Sequence, residues 1–181
     1  MTLKYKNKGI SYIEFILVLA IMILLTTLAM VTMSIVNRNN VTKGADRVET
    51  GINHAKTLSL SKGSDKGCIT FAAKGSNVYY YYGENKGDKY SVCTAPCKVT
   101  VTVAGAPYVI SGNTQVRFKL SHTTGAFTRA EYSADGGSTF SPVVTSTNGF
   151  TGLNRIAINN NHGKTANIDL NVHVGTVKVS Y

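Results

Sequence analysis

Apolar residues dominate the chain from Ile10 to Val36, a run of 27 positions without Pro or Gly that only Ser11, Glu14, Thr26, Thr27, Thr32 and Ser34 interrupt. No charge falls between Phe15 and Asn37. About 20 such residues are enough for a helix to cross a bilayer, so the run predicts a membrane-spanning helix. Beyond it the apolar positions thin to Val41, Ala45, Val48, Ile52, Ala55 and Leu58, which recur at steps of four and three along one helical face. The helix is therefore expected to continue outside the membrane to about Lys62 and to stop at Gly63. Gly44 and Gly51 lie inside it, each costing about 1 kcal/mol relative to Ala. They predict a weak point, as a bend near Gly44 or as unwinding between 37 and 44 in an assembled state. The apolar stripe is read as packing against a following sheet rather than as a partner site.

From Gly67 the period changes to two. Strands are expected over 68–73, 77–82, 98–103, 115–121, 126–133, 140–145, 153–159, 168–174 and 176–181, separated by turns rich in Gly, Ser, Thr and Asn. The fold class is thus α+β: a long N-terminal helix, its first half transmembrane, packed on an antiparallel β-sheet head. The expected divisions are a short leader over 1–9, the membrane helix over 10–36, its amphipathic continuation over 37–62 and the head over 63–181.

Charge orients this plan. Lys4, Lys6 and Lys8 precede the apolar run with no acid among them, which places the N-terminus in the cytoplasm and the rest outside. The expected location is the cytoplasmic membrane, crossed once. No A-x-A cleavage site or lipobox cysteine points to another route of export. Of the net charge of +10, the three leader lysines supply three and Glu14 takes one back, so the part from 37 onward carries +8. A basic exterior favours polyanions or simply a solvated surface, and no block of five like charges decides between them.

Glu14 does not fit an ordinary anchor. A lone carboxylate within a membrane helix costs roughly 2.5–3.5 kcal/mol. Either it lies near enough to the interface to reach headgroup water, or a cation offsets it. Cleavage after Gly9 would give Ile10 a free amine, and that amine on a neighbouring copy is such a cation.

A basic leader ending in Gly, a hydrophobic residue after it, Glu as the fifth residue and then a long apolar helix resemble the class III signal of type IV pilins and pseudopilins. Gly9-Ile10-Ser11-Tyr12-Ile13-Glu14 stands against the usual Gly-Phe-Thr-Leu-Ile-Glu, keeping Gly, the Ile-Glu pair and the spacing. The resemblance implies removal of residues 1–9 by a prepilin peptidase, N-methylation of Ile10, and Glu14 as the residue that registers a subunit against its neighbour. It implies other pilin or pseudopilin subunits, the peptidase and the cytoplasmic membrane as partners, and an extracytoplasmic filament of a pilus, competence or type II secretion machine as destination. Val31 stands where major pilins commonly carry Pro, so the resemblance is to a minor subunit. Over the head, the order of elements and His54-Ala55-Lys56 resemble H-type pseudopilins and FimT-type minor pilins.

Four features carry candidate chemistry, and none reads as an active site; no enzyme activity, metal or cofactor is expected. Cys93 and Cys97 flank Thr94-Ala95-Pro96 and suit a small disulfide loop in an exported chain. Cys68 is then left over, to pair with either of them or to sit buried. Ser133-Ala134-Asp135-Gly136-Gly137-Ser138-Thr139-Phe140 resembles the Asp box of sialidases and other propellers, here a single copy read as a structural hairpin. Tyr79 to Tyr82 would alternate across a strand, one face core and the other a stacking surface for sugars or bases. His54, His122, His162 and His173 are scattered and read as surface or packing residues. A competing function is DNA capture at a filament tip through Arg117, Lys119, Arg129, Arg155 and Lys178, with Arg155 and Lys178 as the favoured contacts. FimT-type pilins that bind DNA carry Gly-Arg-x-Arg, where this chain has Gly175-Thr176-Val177-Lys178.

Overall fold

A helix with no Pro begins after Ser11 and runs to a glycine. The computed structural model describes residues 11–84, 88–93, 97–160 and 163–181, without the side chains of 33, 34 and 36–38. In it α1 spans Tyr12–Lys62. Gly63, at φ 92°, takes the left-handed conformation that other residues avoid, and its N–H donates to Ser59 O at 3.0 Å, closing the last turn. The chain divides into two units, Met1–Val36 and Asn37–Tyr181, and α1 supplies residues to both.

In the second unit, the alternating segments become β1 (Ile69–Lys74), β2 (Asn77–Tyr82), β3 (Tyr90–Cys93), β4 (Cys97–Val103), β5 (Ala106–Ile110) and β6 (Gln115–Leu120). They continue as β7 (Phe127–Ser133), β8 (Ser141–Val144), a 3-10 turn at Thr147–Gly149, β9 (Arg155–Asn160), β10 (Thr165–Asn171) and β11 (Thr176–Ser180). One sheet has the order β3-β2-β1-β6-β7-β8 and the other β11-β10-β9-β4-β5, with every described pairing antiparallel. The class is α+β.

Period two sends Ile69, Phe71, Val116 and Phe118 of one sheet and Val99, Val101, Ile156, Ile158 and Ile168 of the other into one buried cluster. Val41, Ala45, Val48, Ile52 and Ala55 of α1 are buried in the same cluster. Each large aliphatic side chain there contributes about 1.5–3 kcal/mol relative to exposure. Leu58 is only half-buried. Polar ties fix the helix as well: the Ser59 hydroxyl donates to Leu120 O at 2.8 Å, and Lys56 Nζ to Val174 O at 2.7 Å.

The helix is unbroken through Gly44 and Gly51 in the single chain, and both are also contact points, since a Cβ on Gly51 would stand 2.7 Å from Cζ of Tyr80 and one on Gly44 would stand 3.1 Å from Val92 O. Two expectations about the strands need correction. Two strands were not expected, β3 and β5. The second follows a two-residue turn, Ala104-Gly105, with φ 50° and 85°, which joins Val103 to its partner Ala106. Pro107 hides that strand because Pro within a run reads as a break, yet at a sheet edge it is tolerated. Finally, β10 begins at Thr165 rather than 168 and ends at Asn171, where Gly175 N–H donates to Asn171 O at 2.9 Å and turns the chain.

Candidate functional site

Within the first unit, Tyr12–Thr32 is a 21-residue stretch of mean hydropathy 2.7, none of it buried against other parts of the protein. At 1.5 Å per residue it reaches about 30 Å, the thickness of a bilayer's hydrocarbon core. It is long and apolar enough to cross a membrane. Its threonine hydroxyls are satisfied locally: Thr26 donates to Met22 O, Thr27 to Leu24 O and Thr32 to Leu28 O, at 2.9, 2.8 and 2.6 Å. Threonine therefore enters the run without leaving an unpaired polar group.

Glu14 has a partner within its own chain. The Ser11 backbone N–H donates to Glu14 Oε2 at 3.2 Å, the returning arm of a capping box in which the third helical residue satisfies the amide of the cap. Sequence reasoning missed this, although Ser-x-x-Glu ahead of an apolar run is its signature. The carboxylate also faces the positive end of the helix dipole. Gly9 and Ile10, the expected cleavage and methylation positions, lie outside the described residues.

The five basic residues expected to meet DNA do not form one cluster. Arg117, Lys119 and Arg129 stand on β6 and β7 of the six-stranded sheet, Arg155 and Lys178 on β9 and β11 of the other. Arg117 is 8% exposed, donates from Nε to Thr70 Oγ1, lies 3.6 Å from Glu131 and covers the Phe140 ring. Arg129 Nε meets Glu131 Oε1 at 2.7 Å. Lys119 bonds Glu84 and holds that carboxyl below its ordinary range. Arg155 Nε donates to Asp169 Oδ1 at 2.6 Å, and this bond raises its pKa. Asp169 stands in register with Arg155 on one side and with Lys178 on the other. The two favoured contacts are thus brought into one row, with a carboxylate between them.

The remaining features are structural. Cys93 and Cys97 are joined by a disulfide across a Cα separation of 6.2 Å. Cys68 is free and buried; burial pushes its thiol up to about 11, and it donates to Asp65 O at 3.4 Å. Asp135 accepts from Ser133 Oγ, Ser138 N and Thr139 N, at 2.6, 3.0 and 2.9 Å, and these bonds hold its carboxyl far below the ordinary value. The Asp-box segment is the turn between β7 and β8.

The tyrosine row needs correction. Neither face is left open as a stacking surface: Tyr80 on one side and Tyr81 on the other are both buried, Tyr79 and Tyr82 are half-buried, and Tyr81 donates its hydroxyl to Gln115 Oε1 at 2.9 Å. The exposed ring beside this row is Tyr90 of β3, a strand the alternation did not reveal. His54 packs on Tyr82, His122 and His173 are exposed, and His162 lies outside the described residues. Among the described residues no three His, Cys, Asp or Glu side chains are grouped to hold a metal. Compared with protein-family models, curated proteins and solved structures, the chain matches none.

Proposed function

We propose that this protein is a minor pilin or pseudopilin, a structural subunit of a type IV filament serving a pilus, a competence system or type II secretion. The observation that carries the reading is the uncovered apolar stretch Tyr12–Thr32 with Glu14 as its one Asp, Glu, Lys or Arg. A helix of this kind needs an apolar environment, supplied first by the cytoplasmic membrane and, on assembly, by the same helices of neighbouring subunits. In a packed bundle Glu14 is offset by the Ile10 amine of an adjacent copy, which cleavage after Gly9 creates. The pilin arrangement follows: one helix serves as anchor in its first half and packs under the β-sheet head in its second, as the burial of Val41, Val48 and Ile52 supports. The partners are other subunits and the prepilin peptidase, and no catalytic role is assigned.

Mass spectrometry of the native protein tests the reading. The expected N-terminus is Ile10, carrying a methyl group, and Gly9→Ala leaves the precursor uncut. An intact Met1 on filament-associated protein, or a cut beyond Ala29, overturns it.

A further inference from the structure

Alongside the second half of α1, the edge of the six-stranded sheet leaves a groove that is aromatic along its middle and cationic at both ends. Arg47, His54, Leu58 and Lys62 recur along the helix at steps of seven, four and four, so they share one face. All but the half-buried Leu58 are exposed. Tyr82 and Tyr90 stand beside them. The His54 and Tyr82 rings are 4.9 Å apart between centroids, and those of Tyr82 and Tyr90 are 5.4 Å apart. Tyr90 also lies nearly parallel to the buried Tyr80, at 5.4 Å and 17°, and remains 42% exposed. Its ring is thus held in place while still open to a ligand, which lowers the ordering cost of stacking on it. Arg47 reaches the same strand, donating from Nη1 to Ser91 O at 3.4 Å.

Towards the helix C-terminus a cavity of about 320 Å³ opens, lined by Leu58, Lys62, Lys66 and Tyr82 together with Asp65 and Glu84. Both carboxylates face Lys119, 4.0 Å from Asp65 and bonded to Glu84. Their charge is therefore partly met from outside the groove, and Arg47, Lys62 and Lys66 give it a cationic balance.

We propose that this groove binds a single-stranded polynucleotide, its bases stacking on Tyr90, Tyr82 and His54 and its phosphates meeting Arg47 at one end and Lys62 and Lys66 at the other. Rings open to solvent beside cations, as those of the exposed Tyr90 and His54 are and that of the half-buried Tyr82 is in part, are what sequence-tolerant binding of single strands requires. The helix from Arg47 to Lys62 rises about 22 Å, room for about four nucleotides, the small end of known single-strand sites. A duplex hides its base faces and cannot use the rings. A neutral glycan could use the rings but leaves the cations idle. This activity goes beyond the filament reading and does not depend on it.

Full-length protein in detergent micelles, titrated against a fluorescein-labelled oligothymidylate of about twelve nucleotides, tests the assignment by anisotropy. A duplex of the same length and a labelled neutral cello-oligosaccharide serve as second and third probes. The oligothymidylate is expected to bind more tightly than the duplex. Tyr90→Ala weakens it by about fivefold or more, Tyr90→Phe restores it, and exposed His54→Ala moves it the same way should Tyr90→Ala disturb folding. Arg47→Ala with Lys62→Ala lowers the slope of log affinity against log salt by about 1.4, while Arg155→Ala with Lys178→Ala leaves oligothymidylate binding unchanged. Absence of oligothymidylate binding at low salt overturns the proposal, as does equal binding of both nucleic acids by wild type and the ring variants, which means diffuse charge. Saccharide binding that Tyr90→Ala abolishes, without oligonucleotide binding, overturns it in favour of a glycan groove. None of these outcomes bears on processing or filament incorporation, which the N-terminal mass reads separately.

Discussion

Gly51 lies against the Tyr80 ring so closely that a Cβ would meet Cζ at 2.7 Å, Cε2 at 2.9 Å and the hydroxyl at 3.0 Å. Tyr80 has little freedom to withdraw: it is 5% exposed, stacked on Tyr90, and its hydroxyl donates to Arg47 O at 3.2 Å. Gly51→Ala therefore sets two effects against each other. Helix propensity favours Ala by about 1 kcal/mol, whereas overpacking a full site costs typically 1–3 kcal/mol. The expected result is a lower Tm for the variant, measured by circular dichroism; a raised Tm would mean that the ring yields freely.

Glu14 separates two roles by substitution. Glu14→Gln keeps an acceptor for the Ser11 amide and removes the charge, whereas Glu14→Leu removes both. Both variants should insert in the membrane, since losing the carboxylate lowers the cost of residence there. If pairing with a neighbouring amine drives assembly, both should be incorporated poorly into filaments, as immunoblots of sheared filaments would report. Normal incorporation of Gln with loss only for Leu would show that capping, not charge, is what assembly requires.

The Cys93–Cys97 link closes a very short loop between β3 of one sheet and β4 of the other. On the chain-entropy account a loop of this length contributes about 2 kcal/mol. Replacing both residues by Ala should lower Tm accordingly, and adding reductant to the wild type should approach the same value. Thiol titration of the unfolded, unreduced protein should find Cys68 alone of the three cysteines.

Asp135 gives a pH dependence with a definite sign. Its folded-state pKa lies below the ordinary 3.8 because Ser133 and Thr139 bond the ionised form. The unfolded chain thus takes up the proton first as pH falls, and the contribution, complete above 3.8, is lost on further acidification. The Tm difference between wild type and Asp135→Asn should be largest at neutral pH and shrink below pH 3.8. Amide exchange at Ser138 and Thr139 should quicken in the variant at neutral pH. Unchanged exchange there would remove the turn's dependence on this carboxylate.

Duplex DNA should bind the full-length protein only weakly, with affinity collapsing towards physiological salt, because each displaced counterion steepens the dependence. Arg155→Ala with Lys178→Ala should change it little, since Asp169 stands between the two. Duplex binding that persists at physiological salt and is lost in that double variant would restore the closing hairpin as a focused site.

Local pattern alone decided the apolar run, the α+β class, most strands and the residues available for a cysteine loop. Each depends on a neighbour a few positions away: hydropathy over some 20 residues, alternation over six, a turn glycine such as Gly63. The capping bond from Ser11 to Glu14 was equally local and readable, as a spacing of three. What only the tertiary structure decided is whatever depends on distant partners. That the glycines of α1 are also points of close contact shows only when Tyr80 and the Val92 carbonyl arrive beside them. Arg117 reads as a free cation until β7 brings Glu131 alongside and the next turn brings Phe140. Asp169 separates Arg155 from Lys178 because register, set by two turns, lines up three strands. Alternation reads one face of the tyrosine row as open until both Tyr80 and Tyr81 prove buried, and Tyr90 comes to the groove on a strand too short for alternation to betray. Burial and charge pairing belong to the sum of all neighbours, and a one-dimensional pattern contains only those along the chain.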